Sequence, residues 1–232
     1  ASPAPDALPV WWWQAFTPVT RLTGKVLYPE GVDGIATWLE REVRGAGGAF
    51  HAALDADSEG VEGKFYLWSP TEIEQVIGSA AYPAFAYRFG LDQPPNFEGR
   101  WHLYGYHDVA RVIEKFDLDG AAYAGEHEQW RRQLLEVRAA RIPPGLDEKL
   151  LTSWNALAIR GLATAASVFM RQDYFDIANR CLRTLREECW HDERLLALGA
   201  GSGKHLPGYL DDYAHLLQAA LDCLQYEWDA ET

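Results

Sequence analysis

The sequence predicts a mainly helical chain of antiparallel helical hairpins with one small antiparallel β-hairpin. Three observations predict it. Apolar residues recur at helical spacing over long stretches, as in Leu150, Leu151, Trp154, Leu157, Ala158, Leu162 and Ala165. Helix-start signals stand ahead of apolar runs, the fullest being Ser69-Pro70-Thr71-Glu72, with a capping Ser, Pro at the first helical position and Glu reaching back to the cap. The segments around Phe50 and Phe65 bracket an acidic loop and read as two short hairpin strands with a long tip.

Taken in order, the first helix is expected from about Leu8 to Leu22, with Trp11, Trp12, Trp13, Phe16 and Val19 covering most of its circumference. The second runs from about Val32 to Val43, and Gly45-Ala46-Gly47-Gly48 stops it. Ala49 to Leu54 and Lys64 to Trp68 read as hairpin strands bracketing an acidic loop, Asp55 to Gly63. A short helix follows Ser69 as far as Ile77, and another spans Ala81 to Phe89. Gly90 to Trp101 is a loop rich in Pro and Gly. His107 to Lys115 and Gly120 to Ala140 read as helices, and Pro143-Pro144-Gly145 is a hard break. Asp147 to Phe169, Asp173 to Trp190 and Tyr209 to Trp228 are the last helices, with a short apolar run at Leu195 to Leu198. The expected core holds Trp13, Phe16, Trp38, Trp154, Leu157, Leu162, Leu185, Leu217 and Leu221. Thr37 to Glu42 followed by Phe50 is echoed by Thr184 to Glu188 followed by Leu196, a faint repeat of a helical hairpin and an extended segment. Tandem helical hairpins close into solenoids or toroids; a tetratricopeptide array is the competing reading, and the units are too irregular in length for its period.

The 232 residues read as a single helical-hairpin domain, residues 1–232. The formal charge of −13 disfavours nucleic acid as a partner, since phosphate binding needs a cationic surface. No apolar run is long enough to span a bilayer. Cys181, Cys189 and Cys223 lie in helical patterns without a C-x-x-C pair, and read as reduced, buried thiols of a cytoplasmic protein. The His residues form no i, i+4 pair, so neither a metal nor another cofactor is expected. Gly199 to Lys204 resembles part of a phosphate loop, but Lys204 is followed by His205 and the spacing fails.

Four segments carry candidate chemistry. Asp55, Asp57, Glu59 and Glu62 crowd one loop, ahead of Trp68; they suit a cation, sugar hydroxyls or an acid/base pair, although a solvated acidic turn capping a hairpin is the simpler reading. Asn96-Phe97-Glu98-Gly99 suits a polar ligand or a plain turn. Asp147 to Asn155 sets polar groups beside Trp154 at a helix start, either a pocket rim or capping. Asp211 and Asp212 open the last helix, where the macrodipole also favours carboxylates.

These segments, in this order, resemble the spermatogenesis-associated thioredoxin-like protein family, known in bacteria as thioredoxin-domain-containing proteins. The resemblance spans about Trp11 to Trp228. It implies an (α/α)6 toroid of six-hairpin glycosidase type, of which this chain would be a part, joined in the family to a thioredoxin-like domain that is then its expected partner. Ligands in such toroids bind where the hairpin loops converge. Asp55, Asp57, Glu59, Trp68, Asn96, Glu98, Trp154, Asn155, Asp211 and Asp212 are therefore expected at one end. On the enzyme reading Asp57 and Asp212 are the catalytic pair, Trp68 and Trp154 stack on a small carbohydrate, and the acidic chain suits a neutral sugar. The alternative is a non-catalytic binding or regulatory module. A part of a toroid would also leave apolar helix faces open to self-association.

Overall fold

The structure, a computed structural model, describes residues 27–199, 201, 203 and 206–228. The helix expected from Leu8 to Leu22, with core residues Trp13 and Phe16, lies outside them. The described chain is mainly helical, with a few two-residue antiparallel pairings. It divides into two compact units, residues up to Asp55 with those from Leu146 onward, and residues 56–145.

In the first unit, α1 (Leu27–Trp38) continues through a π-helical turn, Leu39–Val43. Gly48, at φ 103, then turns the chain in a conformation that glycine adopts at low cost. Strand β1 (Ala53–Leu54) pairs with β4 (Leu146–Asp147) in the register Ala53 to Asp147 and Leu54 to Leu146. Helix α6 (Thr152–Phe169) packs against α7 (Gln172–Cys189) and α8 (Leu210–Tyr226). Its small residues, Ala156, Ala158, Gly161, Ala163, Ala165 and Ala166, are all buried and allow that close approach. Phe50, Leu39, Ile159, Leu162, Leu185 and all three cysteine thiols fill the core. Burial pushes each thiol up from its ordinary value, so these cysteines are packing groups rather than nucleophiles. After α7, β5 (Trp190–His191) and β6 (Arg194–Leu195) form a tight hairpin, with Asp192 and Glu193 both at positive φ.

In the second unit, β2 (Asp57–Ser58) and β3 (Val61–Glu62) form a small hairpin within the acidic segment. The Ser69 capping box is formed: Ser69 Oγ accepts from Glu72 N at 3.3 Å and Glu72 Oε2 accepts from Ser69 N at 2.8 Å. It opens α2 (Pro70–Ile77). Helices α3 (Tyr82–Phe89), α4 (Val109–Phe116) and α5 (Gly120–Ala139) follow, with Asp108 and Asp119 capping the last two. Trp68, Ile73, Phe85, Val112, Tyr123 and Trp130 make a separate core.

Three expectations are corrected. The extended segments do not pair with each other: β1 takes β4 as its partner, and Lys64 to Tyr66 form a turn, because Tyr66 and Leu67 bond back to Gly63 at 2.8 and 3.1 Å. The helix expected from Asp147 starts at Thr152, because Asp147 is used in the β1–β4 pair. Trp154 on α6 is exposed, and so are Leu217, by 64%, and Leu221, since α8 turns Ala219 and Cys223 inward instead. Leu157, Leu162 and Leu185 are buried as expected, and Trp38 is half-buried against the core.

Candidate functional site

In the first unit the β1–β4 pair draws Asp147 alongside the segment that carries His51. Ala52 N donates to Asp147 O at 3.0 Å, and His51 Nδ1 lies 2.9 Å from Glu148 O. A carbonyl can only accept, so Nδ1 is the donor of this pair. Lys149 folds back on Asp147: its Nζ donates to Oδ2 at 2.7 Å and its backbone N to Oδ1 at 3.3 Å. Those hydrogen bonds from Lys149 hold the Asp147 carboxyl below its ordinary range. Beside these groups opens a cleft of about 510 Å³, walled by Leu150, Leu198 and Gly199. Gly199 N donates to Leu150 O at 2.9 Å, and a Cβ on Gly199 would come within 3.2 Å of the Leu150 Cβ. The cleft thus joins an apolar wall to an ionised carboxylate, an ammonium and an imidazole. That combination suits a small polyhydroxylated molecule. Asp147 does not suit acid catalysis, which needs a carboxyl that keeps its proton; Glu148 also lines the cleft.

The residues expected to converge fall in both units. Asp55, Trp154, Asn155, Asp211 and Asp212 belong to the first, and Asp57, Glu59, Trp68, Asn96 and Glu98 to the second. Asn155 is 1% exposed. Its Oδ1 accepts from Phe50 N at 2.7 Å and lies 3.3 Å from Cys181 Sγ; its Nδ2 donates to Phe50 O at 2.9 Å and Leu151 O at 3.0 Å. Every hydrogen-bonding position of the amide is used. Asp212, 3% exposed, accepts from Ser153 N at 3.1 Å and from Tyr209 N at 2.9 Å, one bond to each oxygen. Asp211 and Trp154 are exposed at the surface. In the second unit Trp68 is buried, and its backbone exchanges two 3.0 Å bonds with Trp101. Asn96 spans its loop, accepting from His102 N at 2.7 Å and donating to His102 O at 2.9 Å. Glu59 pairs with Lys64 at 2.6 Å; Asp55, Asp57 and Glu98 are exposed. His51, which the sequence marks only by its place next to the acidic loop, and Lys149 are cleft residues outside the expected set.

No family model matches the sequence. Spermatogenesis-associated protein 20 of Rattus norvegicus is 28% identical over 93% of this chain and 31% of its own length. The Homo sapiens protein of that name is 25% identical over 90% of this chain and 31% of its own. An uncharacterized protein of Caenorhabditis elegans is 29% identical over 75% of this chain and 28% of its own. These relatives bear out the family resemblance carried by the ordered motifs, and the chain spans about 31% of the length of the mammalian ones. A cellobiose 2-epimerase from Spirochaeta thermophila aligns over 97% of this chain and 54% of its own, at 14% identity and a TM-score of 0.31. A superposition that loose carries neither fold nor activity across.

Among the described residues, no helix is long and apolar enough to cross a membrane, and no group of His, Cys, Asp and Glu could hold a metal ion.

Proposed function

We propose that this chain is part of an (α/α)6 toroid that binds a small neutral carbohydrate in the Asp147–Lys149 cleft, as a binding module rather than a glycosidase. The cleft carries the reading. Leu150 and Leu198 offer a surface for the apolar face of a sugar ring, while Asp147, Lys149 and His51 stand at its hydroxyls. The state of the carboxylates weighs against hydrolysis. Asp212 spends both oxygens on backbone N–H groups, and Asp147 is held ionised by Lys149. Asp147 is therefore no ready proton donor to a leaving oxygen, and Asp212 is tied to the backbone. The thioredoxin-like domain that the resemblance implies is the partner of such a module, and the buried thiols fit a reducing, cytoplasmic setting.

Calorimetric titration with glucose, N-acetylglucosamine and cellobiose tests the reading. Saturable binding is expected with at least one sugar. Lys149→Ala should weaken it about tenfold, the scale of one charge-assisted hydrogen bond. Asp57→Asn should leave it unchanged, and no sugar should turn over. Absence of binding, or turnover abolished by Asp57→Asn or Asp212→Asn, would overturn it.

A further inference from the structure

The second unit holds a cleft of about 360 Å³ among Lys64, Glu72, Arg100, Arg141 and the apolar Phe65 and Ile142. Arg141 is fixed there. Its Nη1 donates to Phe65 O at 3.0 Å and Leu67 O at 2.7 Å, and its guanidinium carbon lies 4.0 Å over the Trp68 ring. Its Nη2 is buried without a hydrogen-bond partner, 3.5 Å from Glu72 Oε1. Glu72 is already heavily engaged: Oε2 accepts from Ser69 N and Oγ at 2.8 Å each and from Arg100 Nη2. Arg100 Nε is likewise buried without a partner, although much of the Arg100 side chain reaches solvent. Glu59 is committed to Lys64 at 2.6 Å. One carboxylate therefore serves two guanidiniums, and the cleft keeps an excess of positive charge in a chain whose formal charge is −13. Burial pushes the Arg141 guanidinium down from its ordinary value; Glu72 opposes this, and the Arg100 and Arg138 charges add to it. A second anion would relieve that field.

We propose that the cleft between Lys64, Arg100 and Arg141 binds the anionic group, carboxylate or phosphate, of a small ligand. Arg141 supplies a fixed positive charge, and Arg100, with its planar fork partly open to solvent, supplies the contact. Phe65 and Ile142 wall the space left for the ligand's body. This site does not depend on the carbohydrate cleft, and either can fail alone.

The test is an NMR titration of the full chain at constant ionic strength, held with sodium chloride. It follows the side-chain Nε–H signals of Arg100 and Arg141. Inorganic phosphate and acetate are separate arms, and the tighter of the two identifies the anionic group. At least one should give a saturable shift of both signals. Arg100→Gln, followed at the Arg141 signal, should weaken binding about tenfold, and Arg100→Lys should restore part of it. Arg131→Gln, at an exposed arginine outside the cleft lining, should leave the titration unchanged. Absence of a saturable shift with either probe, or an affinity unchanged in Arg100→Gln, overturns the proposal. Arg141 is left intact because it also holds the Phe65 and Leu67 carbonyls.

Discussion

Replacing Asn155 by Ala should be among the most damaging single changes in the first unit. The amide brackets the backbone of Phe50, accepting from its N–H at 2.7 Å and donating to its C=O at 2.9 Å, across 105 residues of sequence. Phe50 is itself buried, so water cannot take over either bond. Leu151 O keeps a partner in Asn155 N at 3.0 Å; the two Phe50 groups are orphaned, and the weakly donating Cys181 S–H loses its acceptor as well. At about 1–3 kcal/mol for each buried polar group left unsatisfied, the expected loss is about 4 kcal/mol. That is a large part of the 5–15 kcal/mol typical of a whole domain. Equilibrium urea unfolding followed by far-UV circular dichroism measures it. The midpoint should fall with the slope preserved. Asn155→Asp should do no better, because a carboxylate can accept from Phe50 N–H but has nothing to donate to Phe50 C=O. A loss below about 1 kcal/mol in Asn155→Ala would refute the reasoning, because it would mean the orphaned groups find other partners.

Ser69→Ala removes the acceptor for Glu72 N and should cost about 1 kcal/mol in the same assay. Burial, reinforced by the Arg88 and Arg131 charges and opposed by Glu128, pushes His127 below its ordinary value of 6.5. The unfolded chain then binds more protons than the folded one as pH falls below about 6.5, so stability should drop with pH until the folded value is passed. A urea series across that range should show the drop, and His127→Gln should reduce its slope, the rest coming from His102, which burial also holds below 6.5; a wild-type profile as flat as the variant's would contradict the sign. Leu217, with Leu210 and Leu221, gives α8 an exposed apolar face. Sedimentation velocity at high protein concentration should show association that Leu217→Glu abolishes, and a strictly monomeric wild type would argue against it.

Local signals were legible and distant ones were not. The Ser69 capping box is contained in four consecutive residues, and the structure forms it as read. Helix ends at Val43 and Phe89 follow from the glycines just beyond them. Strand partners depend on where the chain returns: nothing near Ala53 marks Asp147 as its partner, and local sequence points instead to the nearer Lys64 segment. The same pairing delays the start of α6 to Thr152. Leu217 and Leu221 share helical periodicity with buried residues, and only the packing of α8 decides which side faces inward. The sequence places Asp212 at a helix start and Asn155 beside Trp154; their partners come from the fold, backbone N–H groups for Asp212, and the Phe50 and Leu151 backbone and Cys181 Sγ for Asn155. Arg141 has no local mark in the sequence beyond the Pro-Pro break that follows, because its partners at Phe65 and Leu67 lie more than 70 residues away.

The central claim is that the cleft beside the β1–β4 pair takes a sugar. Amide chemical-shift mapping of the isotope-labelled chain, titrated with whichever sugar binds most tightly in calorimetry, tests it most directly. The account predicts saturable shifts concentrated at His51, Asp147 to Leu150, Leu198 and Gly199. Saturable shifts centred elsewhere, or none at saturating sugar, would contradict it.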